Sequence, residues 1–326
     1  MSAANPPDAA VERPADDLDP DVAALLGRLR DRAEPAMFAG TDTPEGVAAA
    51  RARYAALLAE TVRPAEGRPE LVTDAPVPLR VHRPGGRASG ALVVFVHGGG
   101  WVLGGGGAYD PVARRLAEDT DAVVVAVDYR LAPEHPFPAP HDDVLAAVDW
   151  VVRHADRWDA DPARLGLAGD SAGANLVAGA ALARRDAGTP AVVTLLVYPP
   201  PDFEGRYPSV RENADGYLLT AADVVACSRL YLAGTSPRGE PRLSPLRADL
   251  AGLGPTIVAT AGFDPLRDAG HTFAEALAAA GVDVRRREHP SLVHGFLGLT
   301  GVSRAADDAV AALHAEVGSL LGGPAG

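Results

Sequence analysis

A serine between two glycines carries the clearest chemistry in this chain. Gly169-Asp170-Ser171-Ala172-Gly173 stands where an apolar strand pattern stops and a small-residue helix pattern starts. On so sharp a strand-to-helix turn a serine presents its hydroxyl away from the backbone, and the flanking glycines remove β-carbons that would collide with neighbouring chain. That hydroxyl is a poor nucleophile at neutral pH. It requires a general base within hydrogen-bond reach and a third group that fixes the tautomer of the base. In the order Ser, then acid, then His, the acid follows a late strand and the histidine follows the last one. Asp264 lies just past the apolar run Thr256 to Ala261, and His294 just past Val282 to Glu288. Asp268 is the rival acid, but it falls about one turn into the next helical pattern, where carboxylates commonly serve the helix dipole. His289 is the rival base, yet it continues a strand pattern and precedes Pro290. His135, His141, His154, His271 and His314 have no comparable placement and are expected on the surface or in loops.

Acyl transfer also develops an oxyanion, which backbone N–H groups must already face. His97-Gly98-Gly99-Gly100-Trp101 follows the apolar run Ala91 to Val96 directly and can supply such amides. The amide of Ala172, at the start of the helix after Ser171, adds a donor with the helix dipole behind it. The competing reading of a glycine-rich turn is a nucleotide phosphate loop, with Asp128 as a ribose-binding acid. It fails on spacing, because no window in residues 98 to 107 fits Gly-x-Gly-x-x-Gly, and a chain without lysine has no Gly-Lys-Ser or Gly-Lys-Thr.

These residues need a scaffold that brings strand ends together. Buried apolar runs recur at Ala91 to Val96, Ala122 to Val127, Arg164 to Ala168, Ala191 to Tyr198 and Thr256 to Ala261, with an extended region at Val77 to Val81 before them. Helical patterns lie between and after them, at Asp110 to Glu118, His141 to His154, Ala172 to Arg185, Ala269 to Ala280 and Arg304 to Leu321. Alternation of this kind predicts an α/β fold: a mainly parallel, twisted sheet with helices on both faces. Residues 1–20 are acidic and rich in Pro and Ala and are expected to be disordered. Residues 21–60 carry two amphipathic helical patterns. Residues 61–326 form the main domain, interrupted at about 200–253 by a segment with one helical piece, Ala221 to Ala233, and no strand run. The two helical segments together are expected to cap the carboxyl edge of the sheet, where open α/β folds bind ligands.

Composition narrows the function classes. The 326 residues suit one large domain, and a net charge of −13 argues against nucleic acid or an anionic membrane as partner. Cys227 is the only cysteine, which excludes an internal disulfide and a cysteine-based metal cluster. No apolar stretch reaches the length of a membrane span. The first residues lack the basic start and apolar run of a secretory signal, so the cytoplasm is the expected compartment.

Taken together, the motifs His97 to Trp101, Asp128-Tyr129-Arg130-Leu131-Ala132-Pro133-Glu134, Gly169 to Gly173, Asp264-Pro265-Leu266-Arg267-Asp268 and His294-Gly295-Phe296 resemble the hormone-sensitive-lipase-like (family IV) esterases of the α/β-hydrolase superfamily. The resemblance spans roughly residues 75 to 300. It implies an α/β-hydrolase fold with a helical cap, and a carboxylic ester hydrolase working through Ser171, His294 and Asp264. It places the oxyanion amides at Gly99, Gly100 and Ala172 and implies no cofactor and no metal. It reads Tyr129 to Glu134 as structural, an Arg/Glu pair fixing a proline-rich loop. Four glycines at 104–107 depart from the pattern and suggest a looser loop beside the acyl pocket. Trp101, Tyr198, Phe203, Tyr217 and Leu218 are the expected substrate contacts, and small aliphatic esters the expected substrates. The chain is expected to be a monomer or a homodimer, with Arg304 to Leu321 as a candidate interface. Two other functions fit the same fold: a dehydratase, cyclase or deacylase of a specialised metabolite, and a non-catalytic small-molecule receptor.

Overall fold

A computed structural model describes residues 17–86, 88–236 and 240–322. Of the stretch expected to be disordered, residues 1–16 lie outside the described residues and Pro20 opens the first helix. The apolar runs become the strands of one sheet. In chain order these are β1 (Glu70–Val72), β2 (Leu79–His82), β3 (Leu92–Val96), β4 (Val123–Val127), β5 (Leu165–Asp170), β6 (Val193–Val197), β7 (Thr256–Phe263) and β8 (Val284–Val293). Their spatial order is β1-β2-β4-β3-β5-β6-β7-β8. The β1–β2 and β2–β4 pairs are antiparallel, and every pair from β4 to β8 is parallel.

The continuous apolar runs follow from burial on both faces. Along β3, Leu92, Val94 and Val96 enter one core while Val93 and Phe95 enter the other, and β4 splits Val123, Val125 and Val127 from Val124 and Ala126 in the same way. The first core takes α4 (Ala139–Arg153), α5 (Ala172–Asp186) and α8 (Arg267–Ala279). The second takes α1 (Pro20–Asp31), α3 (Asp110–Thr120) and α9 (Arg304–Leu320).

Helices α2 (Pro44–Thr61) and α7 (Ala221–Leu232) extend the first core through Val47, Ala50, Cys227 and Tyr231, and the short α6 (Pro208–Glu212) precedes α7. Helices α2 and α7 have local reasons to begin where they do. Thr43 accepts the Gly46 N–H at 3.1 Å and Pro44 follows it, while Thr220 and Asp223 close a reciprocal capping box on α7. Asp223 also accepts the Phe38 N–H at 2.9 Å, which ties α7 to the segment between α1 and α2.

Two strand assignments change. The three-residue β1 carries too short a pattern to be read from sequence. β8 runs five residues beyond Glu288, through Pro290, because it is an edge strand paired only with β7, and a bulge between Ala261 and Phe263 realigns the pair.

Candidate active site

Ser171 sits between β5 and α5 with φ 52° and ψ −122°, a left-handed conformation that a side-chain-bearing residue holds only where its surroundings enforce it. Here they do. Its N–H donates to the Val197 carbonyl at 2.9 Å, and its own carbonyl accepts the Asn175 N–H at 3.1 Å. A β-carbon at Gly173 would lie 2.0 Å from the Val96 carbonyl oxygen, and one at Gly169 would lie 2.7 Å from the Gly173 backbone. Both glycines are therefore required for β3, β5 and α5 to meet closely enough to form the turn.

At the ends of β7 and β8 the chain delivers the two partners. Asp264 is fully buried; its Oδ1 accepts the Leu266 N–H at 2.8 Å and its Oδ2 lies 2.8 Å from His294 Nδ1. His294 Nε2 lies 2.9 Å from Ser171 Oγ. An ionised carboxylate can only accept, so Nδ1 carries the proton and Nε2 presents its lone pair to the serine hydroxyl. Asp268 is engaged elsewhere. Its Oδ2 accepts the Ser209 N–H at 2.9 Å and its Oδ1 the Arg267 guanidinium at 2.8 Å. Burial would push this carboxyl up, but Arg267 and the Ser209 amide together hold it below the usual range. It joins α8 to α6 and Arg267 in turn reaches Glu212 at 2.6 Å. His289 faces away within β8 and packs on Phe296, ring centroids 4.9 Å apart.

The glycine loop after β3 is held at both ends. Gly98 donates to Asp170 Oδ1 at 2.7 Å, and the N–H groups of Val102 and Leu103 close back on the Gly99 carbonyl at 3.1 and 2.8 Å. Gly99 and Gly100 take φ values of 110° and 60°, and both line the cavity above Ser171. A β-carbon at Gly100 would fall 2.6 Å from Phe38 and 2.7 Å from Cys227. Ala172 opens α5, so its N–H is one of the first-turn amides that a helix leaves without an internal acceptor. His97 is buried beneath the loop, stacks on Tyr129 at 4.4 Å, and is pushed down to about 4 by that burial, so the ring is neutral at neutral pH. Of the glycines at 104–107, Gly104 and Gly107 are closely seated, while a β-carbon at Gly105 would make only ordinary contacts and Gly106 has open space around it. A β-carbon at Gly104 would meet His97 at 2.6 Å, one at Gly107 would meet Arg80 at 2.7 Å, and the Gly106 N–H donates to Asp128 at 3.2 Å.

Arg130 and Glu134 do not pair with each other. Arg130 binds Asp143 at 2.6 Å, and Glu134 accepts from Arg51 of α2 at 2.7 Å. Arg51 also donates to the carbonyls of Val102 at 2.8 Å and Ala132 at 3.0 Å, so the proline-rich loop is joined to α2 and to the glycine loop at once. His141 and His314 are buried, each 2% exposed, and are not surface residues.

A cavity of about 370 Å³ opens above Ser171 and His294. Of the expected substrate contacts, Trp101, Phe203 and Leu218 line this cavity. Tyr198 lies beneath the site instead: it is 1% exposed, packs against the His294 ring at 4.5 Å and donates to Asp170 Oδ2 at 3.3 Å. Tyr217 packs on Phe263 and lines a neighbouring cavity. Sequence reasoning missed Tyr54, Leu57 and Leu58 of α2, which form one wall, and Cys227 of α7. The amphipathic pattern of α2 shows that it packs on something, but it carries no sign of what. Buried between these layers, the Cys227 thiol is pushed up to about 12 and behaves as an apolar wall.

Comparison with known proteins identifies the family of the chain. A family model described as alpha/beta hydrolase fold matches residues 93–298. The carboxylesterase NlhH of Mycobacterium tuberculosis is 42% identical over 307 residues, covering 89% of this chain and 93% of that protein. An ethyl acetate hydrolase of Pseudomonas putida is 35% identical over 239 residues, covering 71% and 75%. A hyperthermophilic esterase from the archaeon Pyrobaculum calidifontis superposes with a TM-score of 0.83 at 33% identity, covering 93% of this chain and 98% of that one. The chain belongs to the hormone-sensitive-lipase-like family of the α/β-hydrolase superfamily.

Proposed function

We propose that this protein hydrolyses carboxylic esters through an acyl-enzyme. The observation that carries this reading is the unbroken hydrogen-bonded line from Asp264 through His294 to Ser171, with contacts of 2.8 and 2.9 Å. Ser171 Oγ attacks the ester carbonyl while His294 Nε2 takes its proton. The same proton passes to the leaving alcohol, and water activated by His294 then releases the acid. Asp264 holds the Nδ1–H tautomer and stabilises the imidazolium formed on the way. The amides of Gly99, Gly100 and Ala172 meet the oxyanion. Homology to proteins named carboxylesterase and esterase supports the reaction class.

Residues 21–60 and about 200–253 act as a helical cap on a catalytic domain of residues 61–326, with α1 also seated on the second core of the sheet. The support is that α2, residues 200–219 and α7 all contribute to the cavity wall above Ser171. Substrates are small-molecule esters, with Trp101, Phe203 and Leu218 as apolar contacts. No helix among the described residues is long and apolar enough to cross a membrane. Hydrolysis of p-nitrophenyl butyrate, and labelling of Ser171 by a fluorophosphonate, test the reading. Activity that survives Ser171→Ala would overturn it.

A further inference from the structure

The cavity above Ser171 does not end the space available to a ligand. A second cavity of about 630 Å³ lies between α1, α2 and residues 215–220, and four residues, Met37, Tyr54, Leu57 and Leu218, line both. They form a common wall. Tyr54 is pinned in it by a 2.6 Å hydrogen bond to Tyr109, but the other three are held by apolar contact alone among the bonds described. Met37 in particular is an unbranched thioether that changes rotamer easily. At about 370 Å³ the inner cavity is near the small end of ligand sites, so a long substrate chain has to continue somewhere.

We infer that the outer cavity is a second substrate chamber, which takes the distal part of an aliphatic chain whose ester group sits at Ser171. This rests on the hydrolase reading and deepens it: short esters are held within the inner cavity, and longer ones pass the Met37–Leu57–Leu218 side of the wall. The outer chamber has an apolar surface from Leu26, Leu29, Ala56 and Tyr217. Its charged groups balance, three guanidinium groups (Arg30, Arg32, Arg53) against three carboxylates (Glu34, Glu60, Asp215), with Arg32 and Glu60 already paired at 2.8 Å. A neutral chain fits such a surface better than a chain ending in a single charge. The chain is either the acyl or the alcohol arm of the ester, and the experiment separates the two.

Ala56→Trp and Leu29→Trp each place an indole in the outer chamber, at positions that do not line the inner cavity. Ala56 is exposed on α2, so its replacement leaves the fold intact; thermal unfolding of both variants checks this. Two ester series are compared by kcat/KM, p-nitrophenyl butyrate against dodecanoate and butyl acetate against dodecyl acetate. In both variants the dodecyl-to-butyl ratio of one series falls at least about tenfold relative to wild type, while the butyl members stay within about twofold. The series affected identifies the arm. An unchanged ratio in both series, or a wild-type protein that turns over neither dodecyl ester, overturns the chamber. A wild-type protein inactive on the butyl esters as well overturns the hydrolase reading itself, and the chamber with it.

Discussion

The carboxylate of Asp170 accepts the N–H of Gly98 at 2.7 Å, so the residue before Ser171 holds the first glycine of the loop after β3. The same carboxylate accepts from Tyr109 at 3.2 Å and Tyr198 at 3.3 Å, and Tyr109 shares a 2.6 Å hydrogen bond with Tyr54 of α2. One buried carboxylate thus links the Ser171 turn, the Gly98–Gly100 loop, Tyr198 under His294 and, through Tyr109, a helix of the cavity wall.

Replacing it isolates the charge. Asp170→Asn keeps an oxygen for Gly98 and similar volume, so the fold is retained, but the negative charge near the imidazolium of the reaction is lost. We expect kcat to fall about tenfold at pH 8, with KM little changed. Burial pushes Asp170 up to about 6, against the pull of the Gly98 amide, of charge on His294 and of the two tyrosine hydroxyls. Below that pH the wild-type carboxyl is itself neutral and resembles the variant. The wild-type to variant ratio of kcat should therefore shrink towards one between pH 7 and 5. A constant ratio across that range would show that the charge does nothing for catalysis.

The two acids after β7 separate in the same way. Asp264→Asn preserves shape but reverses the hydrogen-bond demand on His294, favouring the wrong tautomer, and should lower kcat about 10³- to 10⁴-fold with the unfolding midpoint near wild type. Asp268→Asn removes the charge that receives Arg267 and weakens the α6–α8 contact. It should cost about 1 to 3 kcal/mol of stability and change kcat less than fivefold. Steady-state kinetics and urea unfolding on both variants decide between these roles, and comparable losses of kcat would refute the assignment of Asp264.

Stability should fall as the pH is lowered from about 6.5 towards 4. His97 and His141 are both pushed down to about 4, His97 by burial and His141 by burial and the Arg242 charge, whereas in an unfolded chain each titrates near 6.5. Between about 6.5 and 4 the unfolded chain takes up protons that the native rings refuse, so stability present above 6.5 drains away as pH falls. Asp170 works in the opposite sense, since its raised value lets the native state take a proton first below about 6, and Asp128, also raised by burial, acts with it, but burial depresses His289 and His314 alongside His97 and His141. Both ring nitrogens of His141 are buried without a hydrogen-bond partner among the described residues, so an apolar replacement removes the titration without orphaning a neighbour. His141→Leu should lose about 2 kcal/mol less than wild type between pH 7 and 5 in urea unfolding. Equal losses would mean that His141 is not a source of the acid sensitivity.

Much of this site was legible in the chain because its parts obey local rules. Ser171 is marked by glycines whose β-carbons the turn cannot hold, and Asp264 and His294 fall at strand ends that apolar runs announce. Other parts depend on contacts far apart in sequence. That Glu134 pairs with Arg51, 83 residues away, and that Tyr198 lies beneath His294 and not in the cavity, are consequences of how helices settle on the sheet. Periodicity shows that α2 has an apolar face and is silent on where that face docks. The burial of His141 was equally hidden, because it arises from the close approach of α4 to Gly179 on α5, where a β-carbon would lie 2.4 Å from the imidazole.

Arg51 supplies the last test, since it joins the wall helix to the reacting loop. Its Nε donates to the Val102 carbonyl at 2.8 Å and one terminal nitrogen to the Ala132 carbonyl at 3.0 Å, while both terminal nitrogens reach Glu134. Glu134 is 52% exposed, so the ion pair itself contributes little, and Glu134→Gln should change stability by less than about 1 kcal/mol. The two carbonyl contacts are different, because a planar fork meets both at once and a lysine ammonium cannot. Arg51→Lys and Arg51→Ala should each raise KM for p-nitrophenyl butyrate several-fold with kcat changed less, since α2 carries Tyr54, Leu57 and Leu58 of the cavity wall. Rescue of wild-type KM by lysine would show that charge alone, and not the forked geometry, seats α2 over the site.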